Sequence, residues 1–183
     1  MYDNDTIEVS GLTFRVNFEY DYDAGRPWEN SDGHGPVREA SRGYDGHIIK
    51  RPGERVLYAG GRNEYSWVYD WQEACKLARK DGWNTEPYDA PNRIERAVQA
   101  DLDFLRLWCE NQWEYVYVVV THIYKDDDGD YVEGETNSLC WVESYKDYHQ
   151  TVALELAQEL AASILKERKS VQEWNERDVV TAP

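Results

Sequence analysis

Apolar and polar residues alternate strictly from Leu12 to Tyr22: Leu12, Phe14, Val16, Phe18, Tyr20 and Tyr22 fall on one side, Thr13, Arg15, Asn17, Glu19 and Asp21 on the other. A period of two predicts a strand with one buried face. Ile7 and Val9 precede Ser10-Gly11, a two-residue turn signal, so a first strand pairs with it as a hairpin. Short strands are predicted at 55–59 and 65–69. Asp70 opens a helix with Glu73 at the capping-box spacing, Trp71, Cys75 and Ala78 share its inner face, and Gly82 stands at its C-terminus. A second helix over 92–111 has the stripe Ile94, Val98, Leu102, Leu105 and Cys109.

Residues 115–124 are apolar on both faces apart from Thr121 and His122, the pattern of a central strand. A turn at 126–129 leads to strands near 131–133 and 139–143. A last helix, capped by Asp147 with Gln150 at the third position, buries Val152, Leu156, Leu160 and Ile164 and closes on Lys166, Arg168 and Lys169. The order is that of an α+β fold, an antiparallel sheet with about three helices packed on one side. The expected organisation is a single domain over 1–169, interrupted by a Gly/Pro/Asp-rich loop at 24–46 and followed by a loosely ordered tail at 170–183 around Trp174.

Charge adds what periodicity cannot. The 183 residues carry 36 Asp/Glu against 20 Lys/Arg, a formal charge of −16. Eight Trp and fourteen Tyr supply far more ring surface than a solvated acidic chain needs, so the chain folds. The acid is unevenly placed, at −6 over 1–34, +3 over 35–62, −2 over 63–100 and −11 over 101–165. Such a balance opposes direct binding of nucleic acid or an anionic membrane. No apolar run reaches membrane-spanning length, the N-terminus is acidic where a signal peptide is basic, and Cys75, Cys109 and Cys140 are too scattered for a disulfide framework. A cytoplasmic protein is expected.

Candidate chemistry is sparse. Placing Tyr124 first in a calcium loop puts Asp126, Asp128, Gly129 and Glu135 at the third, fifth, sixth and twelfth positions. Tyrosine stands where the first carboxylate must coordinate, so an Asp-Gly hairpin tip is expected instead, with no metal and no cofactor. His34 in Asp32-Gly33-His34-Gly35-Pro36 suits either an acid–base pair or a tight turn held by Asp32. His122 reads as a hydrogen-bonded core residue, Cys75 and Cys109 as helix-core thiols, and Gly60-Gly61 lacks the context of a phosphate loop. No catalytic residues are assigned and no enzyme is expected. Trp28, in Gly25-Arg26-Pro27-Trp28-Glu29, is either folded down over the sheet or held out for a partner.

The remaining candidates for partner binding are carboxylates: Asp103, Glu110 and Glu114 on and beyond the second helix, Asp126, Asp127, Asp128 and Asp130 at the hairpin tip, and Glu155 and Glu159 on the last helix, with Trp28 as an aromatic alternative. Carboxylates on a rigid surface present what Lys/Arg-rich grooves recognise in nucleic acid.

Five segments, Gly25-Arg26-Pro27-Trp28-Glu29, Asp32-Gly33-His34-Gly35-Pro36-Val37, Lys50-Arg51-Pro52-Gly53-Glu54, Glu73–Trp83 and Leu105-Arg106-Leu107-Trp108-Cys109, resemble a group of small acidic proteins encoded in bacteriophages and prophages. The resemblance spans most of the chain and brings no catalytic residues. It implies an accessory protein acting in a bacterial cytoplasm. By analogy with acidic phage inhibitors of host defence nucleases, anti-CRISPR and anti-restriction proteins among them, it suggests a partner complex with a basic nucleic-acid-binding surface. The alternative is a phage structural or assembly adaptor that makes contact through its aromatic loop.

Overall fold

The computed structural model describes residues 5–30, 33–61, 65–83 and 90–181. It is an α+β protein of antiparallel sheets, with helices packed on them. The sheet is double, however, where a single one was expected. The chain divides into two compact units, a discontinuous one (Met1–Asp23 with Glu114–Pro183) and one inserted between its halves (Ala24–Trp113).

The discontinuous unit is a four-stranded sheet covered by one helix, its strands in the order β1 (Asp5–Val9), β2 (Leu12–Tyr20), β6 (Tyr115–Lys125) and β7 (Tyr131–Glu143). Strand β1 turns into β2 with Val9 opposite Leu12. Ser10 and Gly11 both have positive φ, 54° and 77°, the geometry of a two-residue hairpin whose twist matches its strands. The alternation of β2 is realised, with Leu12, Phe14 and Val16 buried. Strand β6 lies between β2 and β7, which explains why both of its faces are apolar.

The two short strands expected near 131–133 and 139–143 are one strand. Thr136, Asn137 and Ser138 pair with Thr121, Val120 and Val119. This middle stretch lacks apolar alternation because β7 is an edge strand, mostly exposed, and backbone pairing carries it. The long helix (Tyr148–Thr181, α3 below) lays Val152, Leu156, Leu160 and Ile164, with Ala153, Ala157 and Ala161 between them, on Phe14, Val16, Val118 and Val120. Lys146 and Asp147 before it have positive φ. Its backbone continues without a break past residue 169, so the expected loose tail is helix as far as Thr181, with Trp174 63% exposed.

The inserted unit holds a three-stranded sheet, β3 (Val37–Ala40), β5 (Ser66–Asp70) and β4 (Glu54–Ala59), with β5 central. Helix α1 (Trp71–Asp81) starts where the Asp70 carboxylate accepts from the Glu73 N–H at 2.9 Å, and ends at Gly82 in the left-handed conformation, as the sequence predicts. Helix α2 (Arg93–Cys109) buries Val98, Leu102 and Leu105 against Leu57, Tyr69, Ala74 and Ala78. The expected loop at 24–46 contains a short 3-10 turn (Pro27–Glu29) and strand β3. Arg38 on β3 grips the buried Glu54 through two bonds of 2.7 and 2.6 Å. Those bonds, with the Arg51 N–H, hold the Glu54 carboxyl below its ordinary value against the opposing effect of burial.

Candidate acidic interaction surface

The two units differ sharply in charge. The discontinuous unit carries 21 Asp/Glu against 7 Lys/Arg, a net −14, and the inserted unit 15 against 13, a net −2. Their pairing differs too. Among the described residues, the inserted unit pairs Arg26 with Glu29, Arg38 with Glu54, Lys76 with Glu73, Arg79 with Glu95 and Arg106 with Asp103. The discontinuous unit forms Arg15–Glu133 and Lys169–Glu173.

The β6–β7 hairpin gathers four of the predicted carboxylates. The Asp126 N–H bonds the Asp130 carbonyl at 3.0 Å, and the Asp126 side chain accepts from the N–H groups of Asp128 and Asp130 at 3.0 and 2.9 Å. Asp126 is thereby spent on closing the turn, with Gly129 in the left-handed conformation. The carboxylates of Asp127, Asp128 and Asp130 are exposed, with no hydrogen bond or ion pair among the described residues. This is a hairpin tip. Tyr124 lies on β6 with its ring stacked on His122, and no group of three or more His, Cys, Asp or Glu among the described residues is placed to hold a metal ion.

Glu155 and Glu159 lie on the exposed side of α3, and Glu159 accepts from Asn137 of β7 at 3.4 Å. Glu114 opens the discontinuous unit, its N–H bonded to the Ser144 hydroxyl at 2.9 Å. Asp103 and Glu110 belong to the inserted unit, and Asp103 is held by Gln99 and Arg106, each at 2.9 Å. The structure thus gathers the hairpin-tip acids in one place and puts Glu155 and Glu159 in the same unit. Asp103 and Glu110 belong elsewhere.

Trp28 takes the folded-down alternative. It packs into the inserted unit's core, its ring 5.3 Å from Trp67 and 5.4 Å from Trp108.

The inserted unit contains one constellation that sequence reasoning half found. His34 Nδ1 lies 2.6 Å from Asp101 Oδ1, while Asp101 Oδ2 accepts from the Gly35 N–H at 2.9 Å and the Tyr69 hydroxyl at 2.7 Å. Asp32, the partner considered for this loop, lies outside the described residues. Asp101 sits at the flank of the α2 stripe, three residues after Val98 and four before Leu105, and an acid at that edge was the available signal. A side chain at position 35 would run into the Tyr69 hydroxyl, so glycine is required there by close approach. The His34 ring stacks on Phe104, and its Nε2 is buried with no hydrogen-bond partner among the described residues. The constellation clamps the 33–36 segment onto α2 and β5. Burial also pushes the Cys75 thiol up, and the Cys109 thiol up to about 12, which leaves neither as an ionised nucleophile.

No helix among the described residues is long and apolar enough to cross a membrane. No protein-family model matches the chain, and no curated protein or solved structure matches it.

Proposed function

We propose that this is a phage-encoded, non-catalytic inhibitor that places the acidic surface of its discontinuous unit in a Lys/Arg-rich groove of a host nucleic-acid-processing defence complex. The phage context rests on the resemblance noted above. The observation that carries the mode of action is the segregation of charge, −14 on one unit and −2 on the other, with the carboxylates of Asp127, Asp128 and Asp130 unpaired among the described residues. Like charges so placed cost a small protein stability, and a basic partner repays that cost on binding. The adaptor alternative needs Trp28 as its anchor. The packing of Trp28 between Trp67 and Trp108 weighs against it.

The test is capture of host proteins from lysate at low and high salt, followed by binding measurements on charge-reversed variants. Replacing Asp127, Asp128 and Asp130 by Lys, or Glu155 and Glu159 by Lys, is expected to weaken partner binding by about tenfold or more. Fold is kept, because all five side chains are exposed. Reversal of Glu173 and Glu176 in the charge-balanced end of α3 is the control and should leave binding within about twofold. The protein alone should not shift plain duplex DNA at physiological salt. Unchanged binding by both acidic variants would overturn the proposal.

A further inference from the structure

Near the end of β7 the ladder is irregular. Val116 pairs with Val142 and Val118 with Leu139, so Cys140 and Trp141 together oppose Tyr117. Trp141 has φ of 59°, alone among the described aromatic residues in the left-handed region. A bulky L side chain adopts that conformation at a cost, and glycine adopts it freely. The Asp21 carboxylate holds the bulge in place, accepting from the Trp141 N–H at 2.9 Å and from the Asp23 N–H at 3.1 Å. What the strain presents is a ring. Trp141 is 53% exposed and has no ring or cation partner among the described residues, with exposed Tyr117 opposite it in the ladder. Glu19 lies opposite Tyr117 in register, so carboxylates border this aromatic surface.

The inserted unit shows what the same chain does with other Trp rings. Arg26 lies over Trp67 at 4.4 Å, and Arg55 over Trp71 at 3.1 Å. The discontinuous unit, with seven Lys/Arg in all, offers Trp141 no such cation. We infer that Trp141 takes an arginine side chain of the basic partner, the guanidinium stacking on the indole while the Glu19 carboxylate receives its N–H groups. Arginine is favoured over lysine because only a planar guanidinium stacks and forks at once. This inference rests on the acidic-surface function proposed above and names the side chain that surface selects.

The test is calorimetric titration of the full chain with nona-arginine and with nona-lysine at one fixed salt concentration. The parent is expected to bind nona-arginine about fivefold more tightly, the ratio that one cation–π contact of moderate strength provides. Trp141→Gly should equalise the two peptides, leave nona-lysine binding within about twofold, and raise the melting temperature by relieving the backbone. Trp141→Ala should equalise them without that rise. Three results would overturn the inference: equal binding of the two peptides by the parent, a preference that survives in both variants, or a fall in melting temperature for Trp141→Gly, which would make the indole a structural part of the bulge. Binding of neither peptide would remove the acidic-surface function as well, so the two failures are distinguishable.

Discussion

His122 and His149, both in the discontinuous unit, are buried, and burial holds each imidazole below its ordinary value. At His122 the nearby Arg168 pushes in the same direction. Both therefore stay neutral to lower pH in the folded state than in the unfolded chain, which takes up protons from about pH 6.5 downward. Stability that these two contribute is full above that value and is lost as pH falls through their depressed folded values. Urea unfolding at pH 7.5 and 5.5 should give the lower midpoint at 5.5, and His122→Gln combined with His149→Gln should flatten the difference. Glu54 acts in a lower window. Its folded value is depressed by Arg38, so its contribution is present above the ordinary carboxylate range and disappears only as pH falls through that depressed value. Asp101 yields a prediction without pH. Asp101→Asn loses the charge that three donors converge on and is expected to cost about 2 kcal/mol, Tyr69→Phe about 1 kcal/mol, both measurable by urea unfolding.

Secondary-structure elements were legible in the sequence where local chemistry alone decides them. The Ser10-Gly11 hairpin, the Asp70 cap, the Gly82 stop and the α2 stripe each depend on residues within one or two turns of one another, and each is found where the pattern places it. The middle of β7 was illegible because an exposed edge strand needs no apolar alternation. The partner of His34 was illegible because Asp101 is 67 positions away and meets it only in the folded unit. Trp141 left no mark either, since the residue that makes its bulge is defined by the register of β6 and not by its own neighbours. The β6–β7 tip supplies a test at this scale. As a hairpin closed by Asp126, it should leave the melting temperature unchanged within about one degree in millimolar calcium, whereas a saturated site would move it by several degrees.

The whole molecule carries most of its tryptophans in one unit and most of its net charge in the other. Six of the eight Trp (Trp28, Trp67, Trp71, Trp83, Trp108 and Trp113) lie in the inserted unit, which has its own core. Fluorescence therefore reports chiefly on that unit, while far-UV dichroism also follows the 34 residues of α3. The two denaturation curves should separate, and coincident curves would show that the units unfold as one. The topology has a further consequence. Tyr20 pairs with Val116, and the Asp21 N–H bonds the Tyr115 carbonyl, so the chain leaves β2 and re-enters β6 on adjacent, hydrogen-bonded strands. The 90 residues from Ala24 to Trp113 occupy the place of a hairpin loop in an otherwise continuous meander. Splicing a two-residue Asn-Gly turn between Asp23 and Glu114 should give a four-stranded miniature with its helix, folded by the dichroism of α3 and carrying nearly the whole charge of the parent on about half its length.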